Sequence, residues 1–187
     1  RPSDGLAMGF ARMSAGRTSV IIDAAPPPKG RASFDAHAST LAFELTSGRR
    51  PLLSNCGSGA NFGEEWRRAG RATPSHSTLC LEGYSSARLS GGDGARAEFF
   101  SDVPSHVPVE ISQAPDGIRF QGGHDGWLKT HGLTHARTLE LTFDGRGMVG
   151  EDLLVCLEEA DKKRFAEVQE NALEPGVLFQ IRFHIHP

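Results

Sequence analysis

Eight histidines, a short run of arginines and a few acids and amides carry most of the chemistry available to this sequence. Asp35, His37 and Ser39 lie two residues apart, so in an extended strand all three side chains leave the same face. Leu41 and Phe43 continue that face toward a core, and a histidine entering a core-directed face needs a hydrogen-bond partner or a metal. The next polar interruption is Asn55, at the end of a Leu52-Leu53 run and beside Gly57, and His76 then opens Ser75-His76-Ser77-Thr78. Two imidazoles and one oxygen ligand from three strands suit zinc or a similar divalent ion. A structural histidine satisfied by hydrogen bonds is the competing reading for each.

Three further groups stand out. His124-Asp125-Gly126-Trp127 puts an acid and an imidazole beside an aromatic ring, which suits a sugar cleft or, equally, a turn followed by a core tryptophan. His131 and His135 follow closely. Arg67, Arg68 and Arg71, beside Trp66, form the one local basic group; it suits an acidic polysaccharide or a solvated face. His184-x-His186 at the end has the spacing of a metal pair or of a strand's solvent face. Cys56, Cys80 and Cys156 form no CxxC pair and read as buried free thiols rather than a disulfide framework or a cysteine zinc site. Tyr84 is the only tyrosine.

The elements that must position these groups read as short strands. Ser19–Asp23, Ser39–Thr46, Thr138–Phe143 and Val177–Ile185 alternate with period two, and Asp144-Gly145 marks a hairpin whose return strand is Met148–Leu157. Further strands are expected over Pro51–Ser54, Ser77–Leu81, Ala95–Phe100, Val107–Ser112, Gly117–Gln121 and Gly126–Lys129. Asn55–Gly63 and Ser85–Gly94 read as loops, and Glu158–Glu170 is the single helix expected. The fold class expected is all-β: one antiparallel β-sandwich domain over residues 1–187, jelly-roll-like or a supersandwich, with little helix.

Bulk properties bound the rest. The 187 residues suffice for a sizeable core, and 20 basic against 23 acidic side chains leave a net charge of −3, with no basic field for nucleic acid. No apolar run is long enough for a membrane-spanning helix. Arg1 is no initiator methionine and no signal peptide is visible, so the chain reads as part of something longer.

The ordered segments DAHASTLAFELTSGRRPLLSNCGSG, WRRAGRATPSHSTLCLEG, HDGWLKTHGLTHARTLELTFDGRGMVGEDLL and RFHIHP resemble the heparinase II/III-like family, over about Gly9 to Pro187. The resemblance implies a β-sandwich that follows a helical toroid in bacterial lyases, many of them periplasmic. These cleave uronic-acid-containing polysaccharides of the heparin, heparan sulfate or alginate kind by β-elimination. It implies a metal site at His37, Asn55 and His76, with Asn55 in place of a family aspartate. It also places Asp35 where the family carries a catalytic histidine. The family's catalytic tyrosine belongs to the toroid.

The function expected is therefore the sandwich module of a polysaccharide lyase, inactive by itself. Its expected ligands are a divalent metal such as zinc and an acidic polysaccharide met by His124, Trp127, Arg67 and Arg71. Its expected partner is an N-terminal helical domain of the same protein. Two alternatives remain: a carbohydrate-binding or structural module without chemistry, and a cupin-like metal enzyme. In the latter Asp35 breaks the histidine pair and Glu44 stands too far from His37.

Overall fold

In the computed structural model, which describes residues 5–91, 98–172 and 176–187, two antiparallel sheets face each other. The first is a meander of β1 (Gly5–Ala7), β2 (Phe10–Ala15), β3 (Thr18–Asp23), β4 (Phe43–Ser47) and β5 (Arg50–Leu53), paired in chain order. Two short pairs follow. β6 (Leu79–Leu81) runs beside the late strand β13 (Phe179–Ile181), and β7 (Arg88–Leu89) beside β8 (Phe100–Asp102). The second sheet comprises β9 (Val109–Ala114), β10 (Gly117–Trp127), β11 (Leu133–Thr142) and β12 (Met148–Val155), with spatial order β12-β11-β10-β9. Helices α1 (Glu64–Arg71), α2 (Leu128–His131) and α3 (Glu159–Glu170) fill the connections.

Alternation builds the core. Met13, Val20, Ile22 and Phe43 point inward from the first sheet and meet Phe120, Leu139 and Leu141 of the second. The Asp144-Gly145 hairpin forms as expected, with the Asp144 carboxylate accepting from the Arg146 N–H at 3.0 Å. It locks against the β2–β3 turn: a Cβ on Gly145, at φ +69°, would stand 2.0 Å from the Ala15 carbonyl. Thr18 Oγ1 donates to the Gly145 carbonyl at 2.6 Å, tying the two sheets at that end.

On β11 the inward row reads Leu133, His135, Arg137, Leu139, Leu141, so two polar side chains share the core face with three leucines. Burial obliges them to find partners, and register supplies one, because Asp152 lies directly opposite Arg137. Arg137 Nε and Nη2 donate to Asp152 at 2.7 and 2.9 Å, and Nη1 donates to the Leu41 and Ser77 carbonyls at 2.9 and 3.0 Å. The Gly126 N–H donates to His124 Nδ1, His124 Nε2–H to His135 Nδ1 at 3.2 Å, and His135 Nε2–H to Asp152 at 2.6 Å. Each acceptor fixes the tautomer of the ring before it. His124 and Trp127 are therefore corrected from sugar-facing to core residues: they are 1% and 0% exposed, and the indole Nε1–H is spent on the Tyr84 carbonyl.

Other expectations shift. The strand expected from Ser39 begins only at Phe43, because Leu41 takes φ +67° and breaks the extended run. Asp35, His37 and Ser39 consequently sit in irregular backbone after a short 3-10 segment, not on one strand face. The Gly126–Lys129 strand ends at Trp127 and turns into α2. The final strand shortens to Phe179–Ile181, and its apolar residues Phe179, Phe183 and Ile185 are exposed. Half of the expected strand Ala95–Phe100 lies outside the described residues, and of the other half only Phe100 is strand, where it opens β8. The Ser85–Gly94 loop contains β7, and its last residues also lie outside the described set. α3 matches the expected helix. α1 was not expected, since its inward face is carried by Arg67, Gly70 and Arg71 rather than by apolar side chains.

Removing one partner of a buried ion pair strands the other, so Arg137→Met should lower unfolding free energy by about 3–5 kcal/mol. The double variant Arg137→Met/Asp152→Leu should recover much of that loss; urea unfolding measures both. Burial, and then neighbouring positive charge, hold His124 below the ordinary imidazole range; burial holds His135 low against the opposing pull of Asp152. The unfolded chain therefore takes up protons first as pH falls through ~6.5, and stability falls with it. Burial alone would raise Asp152, but its bonds from His135 and Arg137 keep the carboxyl below the usual range, adding a second loss below ~3.9. The urea midpoint should drop between about pH 7.5 and about pH 5.5; a flat profile would remove the histidines from the linkage.

Candidate functional site

The segment bearing Asp35 and His37 has little secondary structure of its own, and α1 supplies what holds it. Arg71, 2% exposed, donates to the Ala36, Glu98 and Ser33 carbonyls at 2.9, 2.8 and 2.7 Å and lies over the Phe100 ring. Arg67 donates to the Phe34 carbonyl at 3.2 Å and pairs with Glu64 and Glu98. Arg67 and Arg71 are thus corrected from polysaccharide contacts to anchors: their charge is met inside the protein and their donors are spent on the loop. On its other side the loop is tied by Ser39 Oγ to Asp23 at 2.5 Å and Thr40 Oγ1 to the Ala25 carbonyl at 3.0 Å.

His76 follows a 3-10 turn, Thr73–Ser75, whose Thr73 Oγ1 donates to the Ala38 carbonyl at 2.8 Å. That bond brings the two histidine-bearing segments together: His37 Nδ1 and His76 Nε2 stand 3.0 Å apart, with the rings edge to face. The carbonyl of Ala72, 2.9 Å from His76 Nδ1, can only accept. His76 therefore carries its proton on Nδ1, and Nε2 accepts from His37 Nδ1–H. The second nitrogen of His37, Nε2, is left as an unprotonated acceptor. Burial, reinforced by the neighbouring His37 charge, pushes the His76 imidazole down to about 4. Burial and then Arg71 push His37 down too, against Asp35. Both rings are neutral near pH 7.

Asn55 joins them on one open cleft of about 290 Å³, whose other walls include Asp23, Ser39 and Glu44. Its Oδ1 accepts from the Ser77 N–H at 2.8 Å and its own N–H donates to Glu44 at 3.0 Å. This orients the amide so that Nδ2 has no partner among the described residues. Burial raises the Asp23 carboxyl, partly offset by Ser39. The expected trio His37, Asn55 and His76 is thus together, while Asp35 is exposed at the edge of the group.

As a closed zinc site the trio falls short. Zinc takes three or four anionic or imidazole ligands, whereas here two imidazoles share a proton and the third group is a neutral amide already bonded. Among the described residues no cluster of three or more His, Cys, Asp or Glu side chains could hold a metal. His184 and His186 do not form a pair. His184 Nε2–H donates to the Pro74 carbonyl at 3.0 Å and Nδ1 receives the Cys56 thiol at 3.3 Å, while His186 bonds Pro187. Cys56 is exposed, a correction to its expected burial; Cys80 is buried, with its thiol pushed up to about 11 by desolvation. Tyr84 and His131 meet edge to face at 4.6 Å, a contact that no local sequence signal foretells.

FtsZ-localized protein C of Caulobacter vibrioides (strain NA1000 / CB15N) is 33% identical over 186 residues, covering 96% of this chain and 30% of that protein. The chain therefore spans under a third of the curated relative's length. A solved structure of heparinase III superposes with a TM-score of 0.55 over 81% of this chain and 21% of the other, at 19% identity, which is a likeness of fold. The model of the family described as "Heparinase II/III-like, C-terminal" matches residues 1–187 end to end, and the chain belongs to that family.

Proposed function

We propose that the chain is the sandwich module of a larger polysaccharide lyase, supplying one wall of a cleft for β-elimination on uronic-acid-containing chains. The observation that carries this is the His37–His76–Asn55 arrangement on one open cleft. Elimination needs the uronate carboxylate met by donors, the weakly acidic C5 proton removed, and the leaving oxygen protonated. Asn55 Nδ2–H is a donor for the carboxylate. His37 Nε2 is a neutral acceptor for the C5 proton, and the bond to His76 fixes the ring's tautomer and rotation. The positive charge that develops on His37 is opposed by burial and by Arg71 and eased by Asp35. Protonation of the leaving oxygen, and the opposite wall, fall to the helical domain that the longer protein would contribute.

A second reading has specific support. Asp35 stands where the family resemblance places a catalytic histidine, Asn55 replaces a ligand aspartate, and one relative is known as FtsZ-localized protein C. On that reading the module binds or braces without turnover, within a protein localised through other contacts.

The ultraviolet absorbance of unsaturated uronate decides between them. The full-length protein should cleave at least one of heparin, heparan sulfate, heparosan and alginate, and His37→Ala should slow it by about 100-fold or more. The 187-residue chain alone should be inactive. A full-length protein silent on all four polymers would favour the module without turnover. The metal reading has its own test: Asn55→Asp restores a carboxylate and should raise zinc affinity by about tenfold or more in a chelator competition. Equal affinities would take Asn55 out of any metal site.

A further inference from the structure

We propose that Trp66 and Phe62 form a sugar-stacking subsite for a pyranose ring of an anionic polysaccharide, next to the His37–His76 cleft. The inference rests on the polysaccharide reading above. Folding ordinarily hides large aromatic side chains, yet Trp66 is 63% and Phe62 78% exposed. Neither belongs to an apolar cluster of the core. Among the described residues neither ring has an aromatic or cationic partner, and the Trp66 Nε1–H has no acceptor.

The two rings stand on a cleft of about 460 Å³ whose floor is Gly57, Gly59, Ala69 and Gly70, with Cys56 and Ser75 at its rim. That floor is built by backbone lying on backbone. A Cβ on Gly59, at φ +66°, would be 2.3 Å from the Trp66 carbonyl, and one on Gly70 would be 2.7 Å from the Gly57 and Ser58 carbonyls. The 57–59 loop is therefore seated directly on α1, and the cleft exists before any ligand arrives. An aromatic face, an unspent indole donor and a narrow polar rim match a ligand with an apolar C–H face and a hydroxyl edge, which is the amphipathic character of a pyranose. Continuity selects the occupant. Gly57 lines both this cleft and the histidine cleft, and the partition between them includes Asn55-Cys56-Gly57 and Ser75-His76, joined by the Cys56 N–H to the Ser75 carbonyl at 3.0 Å. A polymer whose uronate lies over His37 and Asn55 has a neighbouring ring positioned for Trp66.

The sequence contains two tryptophans of opposite exposure, which makes the test internal. The chain would be titrated with a heparosan hexasaccharide and, separately, with neutral cellohexaose, following tryptophan emission and acrylamide quenching. Trp127, sealed in the core, reports that each variant is folded. Heparosan oligosaccharide should shield Trp66 from acrylamide, and Trp66→Ala should weaken calorimetric affinity by about tenfold or more while Trp66→Phe keeps most of it. Uronate binding that survives Trp66→Ala unchanged would overturn the subsite alone and leave the polysaccharide reading standing. Cellohexaose bound as tightly, with the same Trp66 dependence, would overturn the anionic class. No binding of either sugar by the chain or by the full-length protein would overturn both. Shielding of Trp66 in the sugar-free full-length protein would also overturn the subsite, because the cleft would then be a packing face.

Discussion

The guanidinium of Arg137 connects the sandwich to its candidate site. It stands on the core face of β11, neutralised by Asp152 across the strand pair, and one of its nitrogens reaches the Leu41 and Ser77 carbonyls together. Leu41 is the left-handed residue that ends the His37 segment, and Ser77 directly follows His76. A single buried cation thus sets where both histidine-bearing segments enter the structure. A lysine could not do the same, since one ammonium lacks the planar fork that serves a carboxylate and two carbonyls at once.

The second tier of restraint is also arginine. Arg67 and Arg71 face inward from α1 and take up the carbonyls of residues 33, 34, 36 and 98, which irregular backbone would otherwise leave unpaired. This explains how a segment with so little regular structure holds His37 within 3.0 Å of His76. It also explains why Arg67 and Arg71 are not free for an acidic ligand: they pair with Glu64 and Glu98 and their donors are committed to the loop, while Arg68, half exposed, pairs with Glu98.

The histidine pair itself is a hydrogen-bonded unit rather than a metal cage. The chain of bonds from Ala72 through His76 to His37 directs the protons one way and leaves one imidazole nitrogen open toward the cleft. Burial keeps both rings neutral. In that state His37 can accept a proton, and Asn55, with its oxygen tied to Ser77, can donate to an anion. A second cleft, which shares Gly57 with this one, lies on the Trp66 side.

By itself the sequence determined the class of fold, the Asp144-Gly145 hairpin and the helix near Glu158–Glu170, because side-chain periodicity and turn chemistry are local properties. Its resemblance to the family also brought His37, Asn55 and His76 into one set. Periodicity could not foresee α1, whose buried face is written in arginines, nor the left-handed Leu41 that delays the strand expected from Ser39 until Phe43. Which tryptophan faces solvent was likewise beyond it. Trp127 lies among His124, His131 and His135 and Trp66 precedes two arginines, yet Trp127 is the one enclosed. Burial is decided by what packs across from a residue. Here partners such as Glu98 for Arg67 and His76 for His37 come from distant parts of the chain that only the tertiary structure brings together.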